Sequence, residues 1–218
     1  MNDELRARVL EAAAAEPAPD RAATRRREFL ILAAGVLWAL GVFWSAGGAR
    51  LGPRPDALVL ATFAGAVGVA LIAFALGYAR GGSMLGRRGL VLRWTVFGAP
   101  LAYMGWKILW SSTYDGMTEE WPDRPGFRCL GLSLRVGVGV FAAMMLLRRG
   151  RVAVRHVEQG AGIGVAAGMI TASLVDLWCP VSHPEHLLIG HVLPALLFAA
   201  AGALLSRWVL AVRRGKRG

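Results

Sequence analysis

Hydrophobic residues occur along the chain in six long runs, separated by short polar stretches. A run of about 18 or more apolar residues is long enough to cross the roughly 30 Å core of a bilayer as a helix. None of the runs alternates between apolar and polar positions as barrel strands do. The pattern predicts an all-α polytopic membrane protein with six transmembrane helices, at Phe29–Ala46, Ala57–Ala79, Leu90–Trp110, Cys129–Leu147, Gly160–Trp178 and Leu187–Leu210.

The composition supports a membrane domain flanked by two short soluble parts. Hydrophobic residues make up 56% of the 218 residues, more than a soluble core of this size can bury. The arginines before the first run resemble a signal peptide, but the run is too long, so we expect a retained helix. The predicted parts are a cytoplasmic N-terminal helix and tether at 1–28, the six-helix domain at 29–210 and a basic cytoplasmic tail at 211–218.

Lysine and arginine are divided unequally between the two sets of predicted helix ends. Sixteen of these basic residues flank helix ends on the face where both chain termini lie, and four flank helix ends on the opposite face. Because basic loops remain on the cytoplasmic side, both termini are predicted to be cytoplasmic, as in a multi-pass protein of the bacterial inner membrane. The net charge of +11 follows this membrane edge, so direct contact with nucleic acid is not expected.

The chain has two cysteines, and the predicted topology assigns both to the outer face. Cys129 opens the fourth run, and Cys179 follows the fifth. In an oxidising periplasm two such thiols can form a disulfide, provided that their Cα atoms are about 4.4–6.8 Å apart. The alternative is two buried, inert thiols, since free cysteine often packs as a small hydrophobic residue. We favour a functional or structural pair.

Three histidines follow Cys179 and suggest a metal site. Imidazole and thiolate together suit zinc or copper, and the candidates are His183, His186 and His191. Two observations favour solvated loop histidines instead. The two prolines of the CPVSHPEH stretch account for it as a turn, and a spacing of five residues does not place two side chains on one α-helical face. We expect no cofactor beyond a transient metal ion.

Charged residues inside the runs predict a structural ion pair. Burying an ionisable side chain at membrane depth is costly, so such groups usually find partners within the bundle. By helical rise, Arg135 lies about 9 Å below Cys129, and Asp176 about 4–5 Å below Cys179. A salt bridge between Arg135 and Asp176 is therefore predicted to join the fourth helix to the fifth.

A row of glycines in the fifth run predicts close helix packing. Gly160, Gly164 and Gly168 recur every four residues, as in small-residue interfaces of membrane helices. The row suits packing within the bundle, which is the commoner use, or a homodimer.

The N-terminal stretch predicts a short amphipathic helix that binds a protein partner. Leu5 and Val9 fall on one helical face with Leu10 beside it, and prolines at 17 and 19 end the helix. The stretch PAPDRAAT is predicted to be a tether. A helix this short is marginal alone in water, so a partner or the membrane surface would stabilise it.

These features together resemble the negative regulators of sigma-F, a family of six-span membrane anti-sigma factors. The resemblance rests on the N-terminal helix, the Ala/Pro tether, RPGFRCL around Cys129 and LWCPVSHPEHLLIGHVLPALLFAAAGALL around Cys179. It implies that cytoplasmic segments hold an extracytoplasmic-function sigma factor and release it when periplasmic stress is sensed. It also implies that Cys129 and Cys179 are the sensing pair. The soluble front end is short for sequestration, so two basic loops are expected to help. Loop two contains Arg80, Arg87 and Arg88, and loop four contains Arg148, Arg149, Arg151 and Arg155.

The predicted function is therefore a membrane anti-sigma factor that is not an enzyme. One alternative is a membrane thiol redox protein that passes electrons to a quinone, although such a protein would favour a CxxC pair. Another is a metal-binding or transport protein, although several helices lack the mid-membrane polar residues that a translocation path requires.

Overall fold

The structure is a computed structural model that describes residues 4, 11, 20–50, 54–78, 87–111, 125–149, 155–181 and 183–209. Within these ranges the chain is helical and contains no strand. The six long helices are α1 (Arg21–Ser45), α2 (Asp56–Tyr78), α3 (Arg87–Ser111), α4 (Phe127–Arg148), α5 (His156–Trp178) and α6 (Pro184–Val209). The all-α prediction is confirmed for the described residues.

Five of the described helices are long and apolar enough to cross a membrane, namely α1, α2, α4, α5 and α6. Large apolar side chains point outwards along the bundle, for example Leu37, Leu60 and Phe97. Such a surface is costly in water and favourable in lipid. α3 coincides with the third predicted run but is not one of the five. The five apolar helices are compatible with a membrane protein, and a sixth span is not confirmed.

Successive helices run in opposite directions, which gives the bundle two distinct ends. The thiol end contains Cys129 and Cys179, and Trp178 there donates from Nε1 to the carbonyl oxygen of Ala46 at 2.9 Å. The basic end contains the first turns of α1, α3 and α5 and the last turns of α2, α4 and α6. Its contacts include the ion pair between Arg93 of α3 and Glu158 of α5 at 2.6 Å.

Helix α5 lies at the centre of the bundle, and its glycine row forms the contact with α6. A Cβ atom built on Gly160 would collide with Gly202, and one on Gly168 would lie 2.7 Å from the Cβ of Ala195. Glycine is needed here because two backbones approach more closely than any side chain permits. The row is therefore used for packing within the chain.

The first helix begins earlier than the hydrophobic pattern predicts. Asp20 caps it, since its Oδ1 accepts hydrogen bonds from the backbone N–H groups of Ala22 at 2.8 Å and Ala23 at 3.2 Å. The prediction of a tether through Thr24 is therefore wrong from Arg21 onwards. The predicted partner-binding residues Leu5, Val9 and Leu10 lie outside the described residues.

Candidate functional site: a buried thiol–imidazole cluster

The site forms where the start of α4 meets the first turns of α6. Gly126, which precedes α4, has a φ of 95°, a conformation that favours glycine. A Cβ atom there would lie 2.9 Å from the carbonyl oxygen of His186. On the other side, a Cβ atom on Gly190 would lie 2.7 Å from the Cβ of Cys129. These two glycines let the segments approach closely enough for Cys129 to reach the histidines.

A π-helical turn interrupts α6 at Leu188–Val192. The backbone N–H of Leu193 donates to the carbonyl oxygen of Leu188, five residues earlier. Pro194 follows and has no N–H with which to bond the carbonyl oxygen of Gly190. The hydroxyl of Ser133 on α4 donates to that oxygen instead, at 3.1 Å. The proline and the serine thus favour the irregular turn and tie it to α4.

The π turn brings His186 and His191 together. In a regular α-helix, side chains five residues apart point in different directions. A π turn contains one extra residue, so positions five apart occupy the relation that positions four apart have in an α-helix. The two rings lie with their centroids 5.7 Å apart. The sequence argument against a shared face assumed α-helical geometry, and that assumption is wrong here.

Four side chains from three segments form the thiol–imidazole cluster. Nε2 of His186 lies 3.4 Å from Sγ of Cys129 and 3.1 Å from Sγ of Cys179. With His191 they each provide a ligand-type atom, and these atoms all lie within 4.8 Å of one another. All four residues are buried, and Cys129 and Cys179 are not joined in a disulfide. Hydrogen bonds with Cys129 and His186 lower the pKa of Cys179, although burial opposes the shift.

His191 has one nitrogen engaged outside the cluster and one without a partner. Its Nδ1 lies 3.4 Å from the hydroxyl oxygen of Tyr103 on α3. Its Nε2 is buried and has no hydrogen-bond partner among the described residues. Such a nitrogen is uncommon in a folded protein, because an unpaired buried polar atom costs about 1–3 kcal/mol.

The structure distinguishes among the predicted site residues. It brings Cys129, Cys179, His186 and His191 together, whereas His183 is half-buried and outside the group of four. Cys129 was predicted only as a thiol partner, because the sequence separates it from the histidines by more than fifty residues. Tyr103 was missed, since a tyrosine in an apolar run carries no sign of a histidine partner.

A buried ion cluster lies at the same end of the bundle. Oδ1 of Asp176 accepts hydrogen bonds from Nζ of Lys107 at 2.6 Å and from Nη1 of Arg54 at 3.1 Å. Nη2 of Arg54 also donates to the backbone carbonyl oxygen of Asp176 at 2.6 Å. The three side chains are at most 4% exposed. The carboxylate thereby joins α5 to α3 and to the segment before α2.

The predicted salt bridge between Arg135 and Asp176 is wrong. The side chain of Arg135 is exposed, and its Nε donates to the carbonyl oxygen of Gly131 in the same helix at 3.1 Å. Arg135 and Asp176 lie at similar depths along their helices, but depth does not determine the direction in which a side chain points. Arg54, assigned from sequence to an outer loop, provides the guanidinium instead.

The comparison with known proteins identifies the family. The family described as negative regulator of sigma F matches residues 12–211. The chain belongs to this family. Membership gives it the role of a negative regulator of a sigma factor, and a sigma factor as its partner. No curated protein and no solved structure matches significantly.

In this member of the family, α4 connects the thiol–imidazole cluster to the basic end. Arg148, in its last turn, is fully buried, and Nη2 donates to Oε1 of Gln159 on α5 at 3.0 Å. The guanidinium carbon also lies 6.0 Å from the ring centroid of Tyr78 on α2. Helix α4 therefore has a buried side chain at each end, Cys129 at one and Arg148 at the other, and each of them contacts other helices.

Proposed function

We propose that the protein is a membrane-bound anti-sigma factor whose cytoplasmic segments hold an extracytoplasmic-function sigma factor. Stress in the periplasm, sensed at Cys129 and Cys179, releases the sigma factor. The observation that carries the proposal is the family match over residues 12–211. The protein acts by binding and release, as a regulator rather than an enzyme.

The distribution of charge supports an orientation with the basic end in the cytoplasm of a bacterium. Arginines cluster at the start of α1, at Arg21, Arg25, Arg26 and Arg27. Arg148, Arg149, Arg155 and Arg207 lie at the same end of the bundle. Translocating such segments across the inner membrane is costly. In this orientation the thiol–imidazole cluster is on the periplasmic side, within reach of periplasmic chemistry, and the six helices span the bilayer.

Chemistry at the thiols changes the packing around them. When an oxidant accepts two electrons from the thiols and both S–H protons are released, an S–S bond forms, which needs the sulfur atoms about 2.05 Å apart. Nε2 of His186 contacts both sulfur atoms, at 3.4 Å and 3.1 Å. Closing the bond would therefore displace the imidazole, and with it the start of α6 that packs on Gly126.

Helix α4 provides the route to the cytoplasm. From Cys129 to Arg148 it extends about 29 Å at 1.5 Å per residue. Because Arg148 is buried against α5 and α2, a shift of α4 changes contacts of both helices at the basic end. A two-state packing of this kind lets periplasmic chemistry bias sigma-factor binding.

The N-terminal helix and basic loops two and four are the proposed binding surface. We expect alanine at Leu5, Val9 and Leu10 together to weaken retention of a co-expressed sigma factor at least tenfold in a pull-down from detergent-solubilised membranes, since apolar anchors dominate interfaces. Glu11→Gln, a polar change in the same stretch, is the matched control. Equal retention by the triple variant and the control would contradict this surface, and the absence of any captured sigma factor would contradict the function.

The sensing role is tested in cells with a reporter of sigma-dependent transcription. Wild type should respond to a periplasmic oxidant, and both thiols should become inaccessible to an alkylating reagent after denaturation. Cys129→Ser and Cys179→Ser should each abolish the response while the protein remains in the membrane. A normal response in both variants would exclude the cysteine pair as the sensor.

A further inference from the structure

We propose that Cys129, Cys179, His186 and His191 form a closed, four-ligand site for Zn²⁺. Two thiolates and two imidazoles are a common ligand set for structural zinc. The site joins the start of α4, the residue after α5 and the first turns of α6, so the ion would fix three segments at one point. This inference concerns the isolated protein and does not depend on sigma-factor binding.

The spacing of the ligand atoms fits tetrahedral coordination. Zinc lies about 2.3 Å from sulfur and about 2.0–2.1 Å from nitrogen, so ligand atoms at tetrahedral corners are about 3.3–3.8 Å apart. The two sulfur–Nε2 distances to His186 are 3.4 Å and 3.1 Å, and all four ligand atoms fall within 4.8 Å of one another. Small side-chain rotations therefore suffice to surround an ion.

His191 supplies a second, independent indication of a ligand. The residue is only 1% exposed, yet its Nε2 has no partner among the described residues. The other nitrogen, Nδ1, lies near the hydroxyl of Tyr103. Metal-binding histidines commonly have this arrangement, in which a second group orients the ring and leaves one nitrogen for the ion. A zinc ion would satisfy the nitrogen that the protein leaves unpaired.

Charge balance also favours a divalent ion with both thiols deprotonated. Zn²⁺ bound by two thiolates and two neutral imidazoles adds no net charge to a buried region. A neutral site avoids the large cost of burying an isolated ion. It also avoids repulsion from Arg54 and Lys107, which already share Asp176.

Zinc occupancy and a disulfide exclude each other, because both use the same sulfur atoms. Bound zinc would therefore protect the thiols, and oxidation would expel the ion. With four protein ligands no position remains for water, so the site is suited to holding structure rather than to hydrolysis.

The test uses the full-length protein, purified in detergent with a phosphine reductant. We expect one zinc per chain by elemental analysis. Replacement by Co²⁺ should give the visible bands of a tetrahedral ion and a sulfur-to-cobalt charge-transfer band. His191→Ala and Cys179→Ser should each weaken zinc binding at least tenfold. Tyr103→Phe should weaken zinc binding by a smaller factor than either ligand variant, because it removes a group that orients His191 and not a ligand.

His183→Ala and His156→Ala are matched controls, because neither residue belongs to the cluster. Both should retain one zinc per chain. Thermal unfolding of every variant, measured with chelator present, separates a lost ligand from a lost fold. Wild type without stoichiometric zinc or cobalt would overturn the proposal. Equal losses in His183→Ala and His191→Ala, or a cobalt spectrum without the sulfur band, would also overturn it. Stoichiometric copper in place of zinc in the purified protein would overturn the choice of ion.

Discussion

The thiol end and the basic end of the bundle both carry ion pairs between helices, but they bury them differently. At the thiol end, Asp176 holds Arg54 and Lys107 in side-chain contacts that are at most 4% exposed. At the basic end, the pair between Arg93 and Glu158 is 61% and 22% exposed. An exposed pair contributes little, whereas removing one partner of a buried pair leaves an uncompensated charge. The ion pairs at the thiol end therefore hold helices together, whereas the pair at the basic end adds little to stability.

Asp176→Asn should produce the largest loss of stability. The change leaves two buried cations without their counter-charge, and we expect it to cost about 3–5 kcal/mol of unfolding free energy. Denaturant titration of the detergent-solubilised protein, followed by helical circular dichroism, measures the loss. The comparison between the two ends fails if Asp176→Asn costs no more than the corresponding change at Glu158.

Gly190→Ala should have the next largest effect. Its Cβ atom would lie 2.7 Å from that of Cys129 and 3.2 Å from the carbonyl oxygen of Gly126, so α4 and α6 would have to separate. We expect a loss of about 1–3 kcal/mol, typical of overpacking, together with faster alkylation of the native thiols. Gly131→Ala is the control, because its Cβ atom would meet nothing within 4 Å. Similar behaviour of the two variants would show that the close approach at Gly190 is unimportant.

Ser133→Ala tests the bond that ties the π turn to α4. It removes the only side-chain hydroxyl that bonds the carbonyl oxygen of Gly190 among the described residues. Loss of this buried hydrogen bond should cost about 0.5–1.5 kcal/mol. Thr95→Ala is the control, since that hydroxyl bonds within its own exposed helix face. Equal melting temperatures for the two variants would argue against a structural role for the Ser133 bond.

Glu158→Gln should have the smallest effect. It breaks the pair with Arg93 at the basic end, and we expect a loss of about 0–1 kcal/mol that diminishes further at high salt. The same denaturant titration at two salt concentrations provides the measurement. A salt-independent loss above about 2 kcal/mol would show that the basic end also depends on buried charge.

The sequence predicted the helices well because long apolar runs leave few alternatives. It also assigned Cys129 and Cys179 to the same end, since alternating helix directions fix that relation. It failed where direction around a helix axis matters. The partner of Asp176 depends on which neighbouring side chain turns inwards, and depth along the axis cannot distinguish Arg135 from Arg54 or Lys107.

The argument against a shared face for His186 and His191 failed for a different reason. The five-residue spacing argues against a shared face only while the helix remains regular, and that argument took no account of a wider turn before Pro194. The signal was present in the sequence: a proline four residues after Gly190 frees a carbonyl group, and Ser133 offers a hydroxyl. Recognising it requires knowing that α4 packs against α6 at that depth.

The π turn of α6 also sets the angular position of everything that follows it. An α-helix turns by about 100° per residue. If the π turn became regular α-helix, the part of α6 after it would therefore rotate about the helix axis by about 100°. Gly202 would then face away from Gly160, and Ser206 and Arg207 would emerge on a different side of the bundle. Converting the five-residue π turn to regular α-helix at the thiol end would thus change which side chains of α6 are exposed at the basic end.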